Sequence, residues 1–280
     1  MVKTKTYFEV LHWASSFLEE SGKEKYIAEY LLLERLNWSK TDLLVHFKEV
    51  MPQEILQQFE SDLNEVIANK PPQYIIGSTE FLGERFSVTP ATLIPRPETE
   101  ELVMACLEDC GTEVSKVIDI GTGSGIIAIS LKLARPNWQV NAVDISEEAL
   151  VVAASNARNL DATVDFKNSD VLQAFDPAPQ FDVIVSNPPY IAESERDVMD
   201  ESVKQYEPLS ALFAEDNGLA IYKRIALEAK DRLKPNGKIF LEIGYQQGAS
   251  VSAIFNEVFP DKNVSVIKDL NQNNRIVKVI

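Results

Sequence analysis

The hydrophobic pattern changes near residue 114, and beyond it short apolar runs alternate with longer amphipathic stretches. Short apolar runs predict buried strands, and the stretches between them have the spacing of helices. Strands that alternate with helices predict an α/β fold, a mainly parallel sheet covered on both faces. The predicted strands are 116–120, 139–143, 162–166, 181–186, 237–243, 263–267 and 275–280, and the predicted helices include 124–134, 146–159, 217–233 and 246–258.

The final two predicted strands are joined by residues 268–274 alone. A parallel connection needs a crossover of about a dozen residues or more, so the last strand is expected to run antiparallel. Ligands of such sheets bind beyond the carboxyl ends of the strands, and candidate chemistry is expected there.

The front of the chain has helical periodicity and almost no glycine. Helix spacing places its apolar residues on stripes, and a further helix is predicted to begin near Gln53. The first stripes are Phe8, Leu11, Phe17 and Leu18, then Ile27, Tyr30, Leu31 and Leu33. The domains predicted from these patterns are a helical bundle over 1–69 for docking a partner, a β-hairpin linker over 70–92 with its hairpin at 74–88, and an α/β domain over 93–280.

A glycine-rich loop, Gly121-Thr122-Gly123-Ser124-Gly125, lies between a predicted strand and a predicted helix. Glycine permits positive φ and close approach of a ligand, and the helix N-terminus supplies unpaired N–H groups. The dinucleotide fingerprint has its third glycine one position later, and the lysine of a P-loop is missing. With Asp119 in the preceding strand, the loop favours S-adenosylmethionine over a dinucleotide. A plain strand–helix turn is the alternative.

Asp144 ends the next predicted strand, about 20 residues beyond the glycines. A carboxylate in that position accepts hydrogen bonds from the two ribose hydroxyls of a nucleoside. The alternative is that Asp144 caps the helix that begins near Ser146. Its context after the glycine loop favours the ribose.

The segment Asn187-Pro188-Pro189-Tyr190 stops the strand predicted over 181–186. The prolines have no N–H group and restrict the residues that precede them, so the segment is stiff and rich in carbonyl acceptors. With the ring of Tyr190 as a wall, it suits a planar group that presents an NH2. A proline turn that only closes the strand is the alternative.

Composition excludes several classes of protein. The 280 residues carry a formal net charge of −16, which argues against nonspecific binding to nucleic acid. No apolar run has the length of a membrane span, and a cytoplasmic location is expected. Cys106 and Cys110 share a helix face and are predicted to be small buried residues. With His12 and His46 they are too few for a zinc site, so no metal is predicted.

The chain resembles the bacterial release factor glutamine methyltransferases, the HemK or PrmC family, over nearly its whole length. The Asn-Pro-Pro-Tyr segment alone is shared with other amino-group methylases. Its combination with the Ile-Pro-Arg-Pro-Glu-Thr-Glu segment at 94–100 and a helical front domain is much more specific. The matching segments are Pro72–Gly77, Phe81–Gly83, Leu93–Glu100, Asp119–Gly125, Asn187–Ile191 and Glu242–Gly244.

The resemblance implies a seven-stranded class I S-adenosylmethionine-dependent methyltransferase fold, Rossmann-like with its last strand antiparallel. It implies N5-methylation of the glutamine in the Gly-Gly-Gln motif of class I peptide release factors. We also expect a cytoplasmic monomer that binds no nucleic acid directly and no membrane. The implied cofactor contacts are Asp119, Gly121, Thr122, Gly123, Ser124, Gly125, Asp144, Asp170, Val171 and Asn187. The implied catalytic residues are Asn187, Pro188 and Tyr190, which with Pro189 also bind the substrate.

Three alternatives remain at this stage. A ribosomal-protein glutamine methylase would use similar motifs. A nucleic-acid adenine N6-methylase would apply the same acceptors to an exocyclic NH2 of a flipped base, although the net charge opposes it. A scaffold that binds the cofactor without catalysis would keep the fold but not the reaction.

Overall fold

The structure is a computed structural model that describes residues 5–113, 115–178 and 180–280. The start of the predicted helical domain, residues 1–4, lies outside the described residues. Contacts within the chain define two compact units, Met1–Ser78 with Asp200–Tyr206, and Thr79–Met199 with Glu207–Ile280. No helix in these described ranges is both long and apolar enough to cross a membrane.

The first unit is helical, as the sequence predicts. Capping boxes at Thr6 and Ser39 begin two of its helices, where side-chain oxygens accept from unpaired N–H groups. A segment from later in the chain joins this unit, and its Tyr206 hydroxyl donates to the Ala68 carbonyl oxygen at 2.9 Å. The helices are α1 (Tyr7–Glu20), α2 (Tyr26–Leu36), α3 (Lys40–His46), α4 (Gln53–Ile67) and α5 (Pro72–Ile76).

The buried face of α1 differs from the predicted stripe. Phe8 is 54% exposed, and the buried side chains of α1 are Tyr7, Val10, Ala14 and Leu18. The predicted stripe was chosen from the large apolar residues of this segment. In the structure, α1 packs the small side chain of Ala14 in the core. Phe8 instead stacks on His12 and contacts the edge of Phe47 at the surface.

A partly buried ion pair connects α2, α4 and α5. Arg35 binds Asp62 through two hydrogen bonds of 2.7 and 2.8 Å, and it also donates to the Ile75 carbonyl oxygen at 3.0 Å. This carbonyl belongs to a short helix, so residues 74–76 are not part of the predicted hairpin. Pro72 is well placed in the first turn of that helix because its missing N–H would be unpaired there anyway.

The hairpin itself consists of β1 (Ser78–Phe81) and β2 (Glu84–Ser87). Its two loop residues, Leu82 and Gly83, have φ values of 48° and 80°. Positive φ at both central residues is what the favoured two-residue hairpin turn requires.

The second unit contains a seven-stranded sheet in its described part, with strand order β5-β4-β3-β6-β7-β9-β8. The strands are β3 (Lys116–Ile120), β4 (Gln139–Asp144), β5 (Asp165–Asn168), β6 (Phe181–Ser186), β7 (Leu233–Glu242), β8 (Val264–Lys268) and β9 (Asn274–Val279). The first five pair in parallel, and β9 is antiparallel to both β7 and β8. The predicted sheet and its antiparallel last strand are therefore confirmed.

Helices cover both faces of this sheet. Along β3 and β6 alternate side chains enter opposite cores, as the pleat requires: Val117 and Val183 lie on one side, Ile118 and Ile184 on the other. The remaining helices are α6 (Pro97–Cys110), α7 (Ile126–Ala134), α8 (Glu147–Asn159), α9 (Glu201–Tyr206, in the first unit), α10 (Glu215–Gly218), α11 (Ala220–Lys230) and α12 (Gly248–Val258).

Three predicted elements differ in their bounds by three residues or more. The strand predicted over 237–243 begins four residues earlier, at Leu233. The strand predicted over 162–166 lies at Asp165–Asn168, at the sheet edge, where Phe166 is its one residue that is not exposed and the apolar pattern is therefore weak. The helix predicted over 217–233 is interrupted because Asp216, Asn217 and Gly218 have positive φ. It ends at Lys230, since Leu233 already pairs with Phe181.

Candidate active site

Strand register brings the predicted motifs together. Ile120 lies beside both Val143 and Ser186, and Ser186 lies beside Leu241. The residues that follow these strand positions therefore emerge side by side at the carboxyl edge of the sheet, where such folds bind ligands. They are Gly121, Asp144, Asn187 and Glu242.

A cavity of about 400 Å³ opens at this edge, and all its lining residues belong to the second unit. It contains most of the residues predicted from the sequence. The predicted residues in its lining are Gly121, Thr122, Gly123, Ser124, Asp144, Asp170, Val171, Asn187, Pro188 and Pro189. Asp119, Gly125 and Tyr190 are not among the lining residues.

The glycines of the loop have different tasks. Gly121 and Gly123 have φ values of 71° and 56°, and a Cβ added to either would meet no atom within 4 Å. Their backbone therefore faces open space that a ligand can enter closely. At Gly125, an added Cβ would lie 2.8 Å from the Ile129 side chain and 3.1 Å from Cβ of Ala153. Gly125 thus permits close packing of α7 against α8.

Asp119 holds the glycine loop through a buried hydrogen bond. It is fully buried, and the Thr122 hydroxyl donates to its Oδ2 at 2.6 Å. Burial raises the pKa of this carboxyl to about 7, because the charged form is poorly solvated there. The structure therefore places Asp119 as an anchor for Thr122, which lines the cavity.

Asp144 is held by the backbone on both of its oxygens. Oδ2 accepts from the Gly123 N–H at 2.8 Å, and Oδ1 accepts from the Ser146 N–H at 2.9 Å. Burial raises the pKa of Asp144, and these backbone donors oppose that shift. The cap of α8 is Ser146, whose hydroxyl accepts from the Ala149 N–H. Asp144 therefore does not cap that helix, and its carboxylate has lone pairs left for a ligand.

The part of the cavity wall that follows β5 contains a strained backbone and an ion pair. Val171 has a φ of 53°, which is uncommon for a β-branched residue and is often seen where a site stores strain. The Ser169 hydroxyl donates to its carbonyl oxygen at 3.0 Å and helps to hold this conformation. Asp170 accepts from Arg224 at 2.7 Å, and Arg224 also lines the cavity.

Asn187 is oriented by two residues to which the sequence analysis assigned no role. Its Nδ2 donates to the Thr99 hydroxyl oxygen at 3.1 Å, and that hydroxyl donates to Glu242 Oε2 at 2.7 Å. Burial raises the pKa of Glu242 to about 7. Both residues lie in segments that carry the family resemblance, which was the available signal, but only the fold brings them together.

A second pair missed from the sequence lies on the same cavity. Arg96 lines it and donates to Glu207 Oε1 at 2.7 Å. The Glu207 side chain is 1% exposed and also accepts from the Ile94 N–H at 3.3 Å. The segment that contains Ile94 and Arg96 is thus fixed by a buried carboxylate from far along the chain.

Tyr190 is held from outside the cavity. Gln247 donates to its carbonyl oxygen at 2.9 Å and accepts from the Gly244 N–H at 3.1 Å. Burial raises the pKa of the Tyr190 hydroxyl to about 12. Gln247 thus helps to fix the end of the Asn-Pro-Pro-Tyr segment.

Gly218 closes the packing around this segment, and its replacement by alanine is expected to destabilise the protein. The added Cβ would lie 2.0 Å from the Tyr190 carbonyl oxygen, at a φ of 80°. Overpacking of this kind costs about 1–3 kcal/mol, in addition to the cost of the left-handed backbone. Urea unfolding measures the loss. Gly83→Ala is the control, because its φ is also 80° but nothing lies within 4 Å. Equal losses in both variants would contradict this interpretation.

Comparison with known proteins agrees with the geometry. Two family models match, the PrmC N-terminal domain over residues 9–77 and the methyltransferase small domain over residues 98–207. A methyltransferase from Pyrococcus furiosus, with 19% identity, has a TM-score of 0.53 over 71% of this chain and 89% of its own chain. This likeness concerns the fold.

Curated relatives extend over almost the whole chain. The release factor glutamine methyltransferase of Enterococcus faecalis is 50% identical and covers 97% of this chain and 98% of its own length. Those of Streptococcus pneumoniae and Bacillus subtilis are 44% and 42% identical, and they cover 95% and 98% of this chain and 96% and 97% of their own lengths.

The sheet order, the antiparallel last strand and the glycine loop define a class I methyltransferase. With relatives that are 42–50% identical over almost their full length, the chain belongs to the release factor glutamine methyltransferase family.

Proposed function

We propose that this protein transfers a methyl group from S-adenosylmethionine to the side-chain amide nitrogen (N5) of the glutamine in the Gly-Gly-Gln motif of class I peptide chain release factors. The observation that carries the proposal is the fixed amide of Asn187 in the cavity wall, beside the glycine loop and Asp144. Family membership supports the choice of substrate.

The residues present fit the cofactor. The open backbone at Gly121 and Gly123 admits a ligand, and the anchored carboxylate of Asp144 suits ribose hydroxyls. Asp170 and Val171 form the wall that would meet the base. When bound, S-adenosylmethionine supplies an electrophilic methyl group on a positively charged sulfur.

The chain's own residues prepare the acceptor amide. An amide nitrogen is a poor nucleophile because its lone pair is delocalised, and no side chain in the lining has the basicity to deprotonate it. The site can therefore promote the reaction by orienting the substrate amide toward the methyl group. Asn187 Oδ1 and the Pro188 carbonyl oxygen each accept one N–H of the substrate amide and aim its nitrogen. Holding reactants in line supplies up to about 7–11 kcal/mol of barrier reduction.

The substrate assay offers three acceptors in parallel to the wild-type protein. Purified release factor, duplex DNA and purified ribosomal proteins are incubated with labelled S-adenosylmethionine. Label in the release factor is expected. Label in DNA alone or in ribosomal protein alone would contradict the proposal, and label in none of the three would favour a scaffold.

The proposal includes the helical unit as the docking site for the release factor, in a monomer that acts in the cytoplasm and binds no nucleic acid. Residues 1–69 contain seven Lys and Arg against twelve Asp and Glu, which suits a basic protein surface better than a phosphate backbone. The cofactor-binding residues proposed here all lie after residue 116.

Removal of residues 1–77 is expected to lower kcat/KM for intact release factor by about tenfold or more, since a lost docking surface of even 1.4 kcal/mol has that effect. Affinity for S-adenosylhomocysteine should stay unchanged. A short Gly-Gly-Gln peptide is the control substrate, because it is too small to use a docking surface, and both proteins should methylate it equally. Equal kcat/KM on the intact factor would contradict the docking role.

A further inference from the structure

Three side chains from different elements form a hydrogen-bonded row that ends in the cavity. Glu242 ends β7, Thr99 lies in the first turn of α6, and Asn187 follows β6. The Thr99 hydroxyl donates to Glu242 at 2.7 Å and accepts from Asn187 Nδ2 at 3.1 Å. Thr99 and Glu242 are each 1% exposed, so the hydrogen bond between them is shielded from water.

The proton count of this row decides which way the Asn187 amide points. A hydroxyl has one proton to donate, and an ionised carboxylate can only accept. The Thr99 proton is therefore committed to Glu242, and the Thr99 oxygen can only accept from its other neighbour. Asn187 must then present its NH2 to Thr99, which places Oδ1 on the side away from Thr99. The opposite amide orientation would set two acceptor oxygens against each other.

We propose that Thr99 and Glu242 are positioning residues that hold the Asn187 amide with its oxygen available to the substrate glutamine. This inference rests on the proposed function, in which Asn187 Oδ1 accepts an N–H of the substrate amide. Without the row, the Asn187 side chain is free to rotate by half a turn and to present NH2 to a substrate that also presents NH2.

A protonated Glu242 would reverse the row. The carboxyl would then donate to Thr99, whose own proton would turn toward Asn187 and favour the flipped amide. Burial raises the pKa of Glu242 to about 7, and several charges act on it. Arg275 from β9 and Arg96 oppose the shift, whereas Glu98 reinforces it, and the Tyr222 hydroxyl donates to the backbone carbonyl oxygen of Glu242 at 2.7 Å. Tyr190, which also interacts with Glu242, has a pKa raised to about 12 and stays neutral.

Thr99→Val tests the row in the intact protein, because valine keeps the shape and loses the hydroxyl. We expect kcat for release factor methylation to fall by about tenfold or more, because the Asn187 amide loses the acceptor that fixes its orientation and the substrate nitrogen is aimed less well. The KM for S-adenosylmethionine should stay unchanged. Thr99→Ser, which keeps the hydroxyl, should recover most of the rate. Ser130→Ala removes a buried hydroxyl of α7 outside the cavity lining and should leave kcat unchanged.

The pH profile separates positioning from a structural role. Wild-type kcat should fall as the pH drops below about 7, because Glu242 then gains a proton, and Glu242→Gln should flatten this part of the profile since its amide oxygen still accepts from Thr99. Wild-type turnover in the same assay confirms the proposed function by itself. Given that turnover, an unchanged kcat in Thr99→Val, or an equal loss in Thr99→Ser, would overturn the inference.

Discussion

Replacement of Asn187 by alanine is expected to lower the single-turnover rate of release factor methylation by about 100-fold or more. Alanine removes the acceptor that aims the substrate nitrogen, and a misplacement of about 1 Å has an effect of this order. It also removes the Nδ2 group that donates to the Thr99 hydroxyl oxygen, while the bond from Thr99 to Glu242 remains. Affinity for S-adenosylhomocysteine should change little, because Gly121, Gly123 and Asp144 are untouched.

Asn187→Asp should fail as well. A carboxylate keeps an acceptor, but it cannot donate to Thr99 and would compete with Glu242 for one hydroxyl proton. Its negative charge also favours a positively charged ground state over a transition state in which that charge disappears. Asn159→Ala, on the exposed end of α8, is the control. A rate in Asn187→Ala close to that of the wild type would mean that the segment is only a structural turn.

Asp144→Ala is expected to weaken the binding of S-adenosylhomocysteine by about 1.5–3 kcal/mol, the usual loss for hydrogen bonds to a charged group. This corresponds to roughly a tenfold to 150-fold increase in Kd. Alanine removes the proposed ribose acceptor and also the partner of the Gly123 N–H, so the loop loses its anchor. Calorimetric titration measures the affinity.

The matched control for Asp144 is Asp165→Ala, because Asp165 begins the neighbouring strand β5 and is exposed. Its affinity should equal that of the wild type. Thermal unfolding should show that Asp144→Ala remains folded, since this variant also removes a half-buried carboxylate that two backbone N–H groups hold. An unchanged Kd in Asp144→Ala would restrict its role to holding the loop.

The sheet and the main motifs were predictable from the sequence because each depends on local pattern. Buried parallel strands are continuous apolar runs, and Val183–Val185 is one of them. The glycine loop and the Asn-Pro-Pro-Tyr segment follow such runs directly, so their position at the carboxyl edge followed from the fold class. The antiparallel last strand followed from a connection too short for a crossover.

Other features depend on contacts between distant residues and could not be read from the sequence. Thr99 and Glu242 are 143 residues apart and meet only because α6 begins beside the end of β7. The bond from Gln247 to the Tyr190 carbonyl oxygen joins residues 57 positions apart, and the substrate contact predicted for Tyr190 stays a prediction. The buried face of α1 was misjudged since small Ala14, rather than Phe8, is packed in the core.

The most direct test of the proposed function locates the transferred methyl group. Purified class I release factor is incubated with the wild-type protein and S-adenosylmethionine, and fragmentation mass spectrometry maps the product. We expect one methyl group on the side-chain nitrogen of the Gly-Gly-Gln glutamine, formed more slowly by about 100-fold or more when Asn187→Ala replaces the wild type. A methyl group on any other residue, or an equal yield from Asn187→Ala, would contradict the account.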